Sequence, residues 1–325
     1  MAPSTVSNAL AGKPHVSAAT RGRVLDAVEK LGFRALPAAQ ALRAPRSLAV
    51  GVLIWDVANP SFPDFVRGIE DVVVREGCTM LLCNTDGRED LQIRHMRGLL
   101  QRGVDGTILI SQNVVSPEVR ALLRSSPPFV LVQRRSEERY DFVGSDNRAG
   151  ILSIVRHLRT LGHRRIGFVR GPPHSSTAAE RFAVFRSAVE QHGLDPDPEL
   201  IYPGDYASAS GFQAAMLMLQ GRRPPTAIIA SNDLNALGVM EAAHQLGRSI
   251  PDDVSVVGFD DIPIAALSRI SLTTVHQPKR DMGMAAAELL LRRISKSDSD
   301  PPREIIFPTR LVIRGSTSVA PPRPR

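Results

Sequence analysis

Cysteine is almost missing: Cys78 and Cys83 are the only two, both in the run Gly-Cys-Thr-Met-Leu-Leu-Cys. That excludes a disulfide framework, and the apolar run predicts a buried strand carrying reduced thiols, as expected of a cytoplasmic protein. No apolar run approaches the roughly eighteen residues of a membrane-spanning helix. The first residues also lack a charged region followed by an apolar one, so neither a membrane partner nor export is predicted. Catalytic signatures are absent too. There is no Gly-x-Ser-x-Gly elbow, no Gly-x-x-x-x-Gly-Lys phosphate loop, no Gly-x-Gly-x-x-Gly turn and no His-Glu-x-x-His helix. The sequence therefore predicts no enzyme, no cofactor and no metal site. His157 and His163 flank Leu161-Gly162, a helix end where cationic side chains suit the dipole, and are read as structural.

What is present is a large globular composition, 325 residues with 43% apolar residues, enough for two or three domains. The net charge of +7 is uneven. Lys13, Arg21, Arg23, Lys30, Arg34, Arg43 and Arg46 face only Asp26 and Glu29 within residues 1–46, so the rest of the chain is nearly neutral. A basic segment on a neutral body implies a polyanionic partner for the segment and a different one for the body.

The basic segment reads as two short helices. One covers Ser4 to Leu10 behind Pro3, and a Gly12-Lys13-Pro14 turn follows. The second is capped by Ser17, with Val24, Leu25, Val28 and Leu31 at helical spacing and a stop at Gly32. From Leu48 the texture changes. Apolar strands are predicted at 48–54, 79–84, 106–110, 129–132, 165–169, 227–230 and 254–259. Helices are predicted at 64–76, 90–101, 149–161, 178–192, 207–219 and 234–245. Strands without in-out alternation, separated by helices, imply parallel sheets covered on both faces. So many units imply two doubly wound subdomains, with Val143 to Asn147 as the crossing between them. A last helix, 281–294, and a late strand, 305–312, return one to each half. The fold class is α/β, with two doubly wound parallel-sheet subdomains behind a small all-α segment.

The run Pro3-Ser4-Thr5-Val6-Ser7-Asn8-Ala9-Leu10-Ala11-Gly12-Lys13-Pro14-His15-Val16-Ser17, with Thr20-Arg21-Gly22-Arg23-Val24 and Leu31-Gly32-Phe33, resembles the recognition helix and third helix of the lactose-repressor (LacI/GalR) family. The resemblance implies a DNA-binding headpiece over residues 1–34, partial because the family carries a further helix before this point. Ser4, Thr5, Ser7, Asn8 and His15 are the expected DNA contacts, short polar groups being suited to base edges and phosphates in the major groove. Leu42 matches the family's hinge leucine, an apolar wedge for the minor groove, within a hinge over 35–47. A reading frame opened too late and a truncated, DNA-incompetent paralogue both remain as accounts of the partial headpiece.

The resemblance continues through Val50-Gly51-Val52-Leu53-Ile54, Asn59-Pro60-Ser61-Phe62, Gly171-Pro172, Arg181-Phe182-Ala183, Ser231-Asn232-Asp233, Val257-Gly258-Phe259-Asp260-Asp261 and Thr273-Thr274-Val275-His276-Gln277-Pro278. It is also similar to periplasmic sugar-binding proteins. It implies an effector site between a first subdomain (48–148 plus about 279–304) and a second (149–278 plus about 305–318), with 319–325 a disordered tail. The implied effector residues are Asn59, Phe62, Gln133, Asp146, Arg181, Tyr206, Asn232 and Asp260. Gln133 stands where many members have an acidic residue. A guanidinium, an amide and a carboxylate divide the donors and acceptors of a polyol, and an aromatic covers its apolar face. Asn232 and Asp260 have a competing role as helix caps.

These readings combine into a cytoplasmic repressor. A small molecule, a sugar or related metabolite, would govern binding to a palindromic operator by a homodimer, with a tetramer left open. A sugar-binding protein without a DNA role, and an enzyme on a related scaffold, are the rival readings.

Overall fold

The computed structural model of the chain describes residues 3–10, 13–14, 16–30, 48–295 and 300–322. The chain forms two compact units, Met1–Ser47 and Leu48–Arg325.

In the first unit, α1 (Pro3–Leu10) packs on α2 (Ala18–Lys30) and buries Ala9 and Val24. Ser17 Oγ accepts from the Thr20 N–H at 3.3 Å, satisfying one of the free donors at the start of α2. The Arg21 guanidinium donates to Lys13 O at 2.7 Å. Leu25, expected on the apolar face, is 51% exposed because it lies on a side of α2 that α1 does not cover. The proposed hinge with Leu42 lies outside the described residues, as does His15.

The second unit runs β1 (Ala49–Ile54), α3 (Phe62–Arg75), β2 (Thr79–Asn84), α4 (Glu89–Gln101), β3 (Gly106–Ile110), α5 (Pro117–Ser125), β4 (Phe129–Val132), β5 (Phe142–Ser145) and α6 (Asn147–Thr160). It continues with β6 (Ile166–Val169), α7 (Ser176–Gln191), β7 (Ile201–Tyr202), α8 (Ser208–Gln220), β8 (Ala227–Ala230), α9 (Asp233–Gln245), β9 (Ser255–Val257), β10 (Thr274–His276), α10 (Lys279–Ser295), β11 (Glu304–Phe307) and β12 (Arg310–Val312).

Two parallel sheets result, a six-stranded one ordered β11-β5-β4-β3-β1-β2 and a four-stranded one ordered β7-β6-β8-β9, with an antiparallel β10-β12 pair beside them. Each sheet is covered on both faces. Val50, Val52 and Ile54 join a core with α3 and α10, while Leu53 and Leu109 point into a second core with α4 and α5. In the other half Phe168 and Ile229 face α6 and α7, and Ile228 and Ala230 face α8 and α9. Burial on both faces is why these strands read as continuous apolar runs.

The helices that cover each sheet together approach unusually closely, and glycine permits it. A Cβ at Gly238 would fall 1.9 Å from Ser208 O, and one at Gly68 would fall 2.0 Å from Arg280 O. Neither backbone could tolerate even alanine without moving.

Several expectations change. Residues 305–312 are not one strand: β11 completes the first sheet beside β5, and after Pro308 and Thr309 the chain crosses so that β12 pairs with β10. The expected 305–318 segment is thus divided between the halves. Val143 to Ser145 is part of β5, a strand of the first sheet, and the crossing itself starts at Asp146. The strand holding Cys83 is the sheet's edge rather than its interior, both thiols are only half-buried, and neither is in a disulfide.

His163 is fully buried, not a solvent-facing cation. Its Nε2 donates to Ser318 O at 3.0 Å, and Nδ1 lies 2.9 Å from Thr226 Oγ1. Burial pulls the His157 and His163 rings below the ordinary histidine value, so they are neutral. The expected disordered tail is fixed through Ala320, whose N–H donates to Leu161 O at 2.8 Å. Acid should loosen this anchor. A histidine depressed by folding gives its full stability above its unfolded value of 6.5, and that stability is lost as the pH falls below it. Replacing His163 by glutamine should therefore reduce the drop in urea midpoint between about pH 7.5 and about pH 5.5.

Candidate functional site

A cavity of about 350 Å³ opens where the carboxyl ends of the two parallel sheets face one another. This is the place where open α/β sheets present loop backbone and helix N-termini to a ligand. Trp55 follows β1, Ser111 follows β3, Gln133 and Arg134 follow β4, and Asn232 follows β8; all line it. Ser111, Gln133, Tyr206 and Asp260 adopt left-handed backbone at φ +56°, +71°, +74° and +122°. Such strain in non-glycine residues persists only where surrounding structure enforces it, and it gathers at binding sites.

Seven of the eight effector residues implied by the sequence meet here: Asn59, Phe62, Gln133, Arg181, Tyr206, Asn232 and Asp260. Asp146 does not line the cavity. It caps α6 by accepting from the Ala149 N–H at 2.8 Å, and its own N–H donates to Phe307 O at 2.9 Å. Asn232 serves as cap and cavity wall together, with Oδ1 accepting from Asn235 N at 2.8 Å and Nδ2 donating to Tyr206 O at 3.0 Å. Asp260 is not a cap: the short helix after it, Pro263–Ala266, is preceded by Ile262 at the cap position.

At the centre is a buried polar network. Arg181, 3% exposed, donates through Nε to Asn147 Oδ1 at 2.8 Å and through Nη1 to Ser231 O at 2.5 Å, with its guanidinium 3.6 Å over the Phe259 ring. Asp260 Oδ1 accepts from Gln277 Nε2 at 2.7 Å, and Ser61 lies beside this carboxyl on the opposite wall. Gln277 Oε1 in turn accepts from Gln133 Nε2 at 2.9 Å and from Ser145 Oγ at 2.7 Å. Lys279 Nζ donates to Asp260 O.

Burial raises the Asp260 carboxyl above its ordinary range, opposed by Arg181 and Lys279. Behind it, burial and then the Asp260 charge push Asp233 up to about 7. Asp233 spends both oxygens internally, accepting from Thr274 Oγ1 at 2.5 Å and from Ile262 N at 2.8 Å. The cavity thus offers a carboxylate, a fork of N–H donors and amides beside the Phe62 and Tyr206 rings. That set can divide the hydroxyls of a polyol and shield its apolar face.

Sequence reasoning did not assign a role to Gln277, which joins the two walls, nor to Arg134, Trp55 or Ser61. Gln277 stood within a quoted motif, but its partners lie 144 and 132 residues away in the chain. Among the described residues no group of three or more His, Cys, Asp or Glu could hold a metal ion, and no helix is long and apolar enough to cross a membrane. Ser4, Thr5, Ser7 and Asn8 belong to α1, and Thr5 and Asn8 are half-buried.

Comparison with known proteins finds relatives for both units. The model of bacterial regulatory proteins of the lacI family matches residues 2–35, and that of the periplasmic binding protein-like domain matches residues 155–317. The ribose operon repressor of Halalkalibacterium halodurans is 34% identical over 313 residues, covering 96% of this chain and 92% of that protein. A LacI family transcriptional regulator from Enterococcus faecium, solved with bound ribose, has a TM-score of 0.74 and 30% identity, covering 83% of this chain and 99% of the other. The lac repressor dimer bound to operator and the anti-inducer ONPF has a TM-score of 0.79 and 26% identity, covering 97% of this chain and 95% of the other. Headpiece sequence, two-sheet body and a near full-length match at 34% identity agree that the chain belongs to the LacI family of bacterial transcription regulators.

Proposed function

We propose that this chain is a repressor that binds a palindromic operator as a homodimer in the cytoplasm, and that a sugar or related small polar metabolite held in the cavity controls it. The observation that carries the reading is the convergence of Phe62, Arg181, Tyr206, Asn232 and Asp260 on one cavity, although they are scattered over two hundred residues of sequence. Ser4, Thr5, Ser7 and Asn8 would touch operator bases and phosphates, His15 would join them, and Leu42 would enter the minor groove. The bound ribose of the Enterococcus faecium regulator and the operator-bound dimer of the lac repressor support the class of each partner.

Control follows from where the polar groups sit. Asp260 and Arg181 belong to one wall, Ser61, Phe62 and Gln133 to the other, so a ligand touching both walls favours one relative orientation of the two sheets. Such a ligand shifts the population toward the orientation it binds better, and the headpieces feel the shift.

The test is reciprocal. A sugar that raises the melting temperature of the full chain should change its affinity for a promoter duplex by about 5- to 150-fold, and that duplex should change the sugar's affinity by the same factor. Fluorescence anisotropy measures the first and calorimetry the second. Equal affinity for promoter and random duplexes, with every sugar and without, would defeat the reading.

A further inference from the structure

The cavity holds a charge that the protein does not balance. Arg134 directly follows Gln133 at the end of β4 and is 4% exposed. Its guanidinium lies 4.0 Å over the centre of the Trp55 ring, and its Nη1 is buried without a hydrogen-bond partner. In the preceding residue, which also lines the cavity, the buried Gln133 Oε1 has no donor. Burial pulls the Arg134 guanidinium down to about 10, which leaves it charged at neutral pH.

The cavity's own acids are engaged elsewhere. Asp260 answers to Arg181, Lys279, Gln277 and Ser61. Asp56 and Asp205 lie at less buried positions and each accepts from a backbone N–H two residues on, Ala58 at 2.8 Å and Ala207 at 2.9 Å. An aromatic face gives a guanidinium part of what water gave it, but it offers neither a counter-charge nor an acceptor for Nη1. A buried cation and a buried lone pair, both unanswered and carried by consecutive residues lining one cavity, define what is missing: an anionic acceptor and a hydroxyl donor on one ligand.

We propose that the metabolite taken by this cavity carries, besides its hydroxyls, a phosphate or carboxylate group that seats on Arg134 over Trp55, while a neighbouring hydroxyl donates to Gln133 Oε1. This rests on the effector-cavity reading above and narrows it from polyols in general to anionic ones.

Trp55 is the only tryptophan in the chain, so its fluorescence reports on the seat directly. The full chain is titrated at constant ionic strength with glucose, glucose 6-phosphate and gluconate, with ribose and ribose 5-phosphate, and with inorganic phosphate, reading Trp55 emission and melting temperature. At least one anionic member should bind about tenfold or more tightly than its neutral parent, equivalent to about 1.4 kcal/mol. The phosphate and gluconate arms separate the two anion types.

Arg134→Gln should bring that ratio close to one without lowering the melting temperature of the unliganded protein, because it removes an unpaired charge. Gln133→Glu should also abolish the preference by supplying an internal counter-charge. A neutral parent binding as tightly as its anion, or a destabilised Arg134→Gln protein that retains the preference, overturns the proposal and leaves the effector cavity standing. Inorganic phosphate binding as well as the phosphosugars overturns the hydroxyl half of it. Silence from neutral and anionic probes alike overturns the cavity reading with it.

Discussion

Replacing Gly238 with valine should lower the stability of the chain by at least about 3 kcal/mol, read as a large fall in urea midpoint. The first added atom would sit 1.9 Å from Ser208 O and 2.7 Å from Phe212 N, both backbone, so no side chain can swing aside. On the facing helix a Cβ at Gly211 would meet Asn235 O at 2.0 Å. The two helices can relieve the overlap only by separating, which opens the core of Ala214, Ala215, Val239 and Ala242 to voids. Ser208 and Leu234, at the starts of these helices, line the cavity, so separation also widens the binding site and should weaken effector binding. Gly221→Ala is the matched control. Its Cβ would come no nearer than 3.4 Å to another atom, and its midpoint should stay close to that of the parent.

Replacing Arg181 with methionine should weaken effector binding by about 100-fold and cost about 3 kcal/mol of stability in the unliganded protein. Methionine fills comparable space but abandons Asn147 Oδ1 and Ser231 O, and leaves the buried Asp260 carboxyl with Lys279 as the remaining cation named beside it. A buried acceptor without its donor carries the full penalty of lost hydration. Arg181→Lys should recover part of the stability, since it restores charge, but little of the binding, because an ammonium cannot serve several acceptors in one plane. Calorimetric titration with whichever metabolite raises the melting temperature measures both variants. Unchanged affinity in the methionine variant would remove Arg181 from the site.

The body of the fold was legible because its strongest signals are local. Strands buried on both faces are continuous apolar runs, and those at 106–110, 129–132 and 227–230 have the boundaries the sequence predicts, as does the edge strand at 79–84. What escaped notice is short and held by remote partners. β10 has three residues and exists because β12 pairs with it antiparallel, 276 facing 310. α5 is a helix of nine residues opened by Pro117 with Ser116 as cap, and it carries only two buried apolar side chains, Val119 and Leu123.

The site was legible in part for a similar reason. Arg181, Asn232 and Asp260 stand in motifs that a family resemblance picks out, so they could be named without knowing what they touch. Arg134 carries no such flag. The first arginine of Val-Gln-Arg-Arg reads as ordinary surface charge, and only the surrounding packing reveals that it is enclosed and unanswered. Asp146 was misplaced because a strand-to-helix junction looks alike whether its carboxylate faces a ligand or caps the helix.

The polypeptide passes between the two halves at three places, after Ser145, after His276 and after Phe307, and these passages are stitched to each other. Asp146 N–H donates to Phe307 O, Thr309 Oγ1 donates to Asp146 O, and Ser145 Oγ donates to Gln277. A triple tether of this kind resists both pulling apart and sideways sliding, since either would tear several bonds at once. Rotation about the seam is the motion such a tether leaves cheapest, so a ligand held in the cleft would be expressed as an angle rather than a distance.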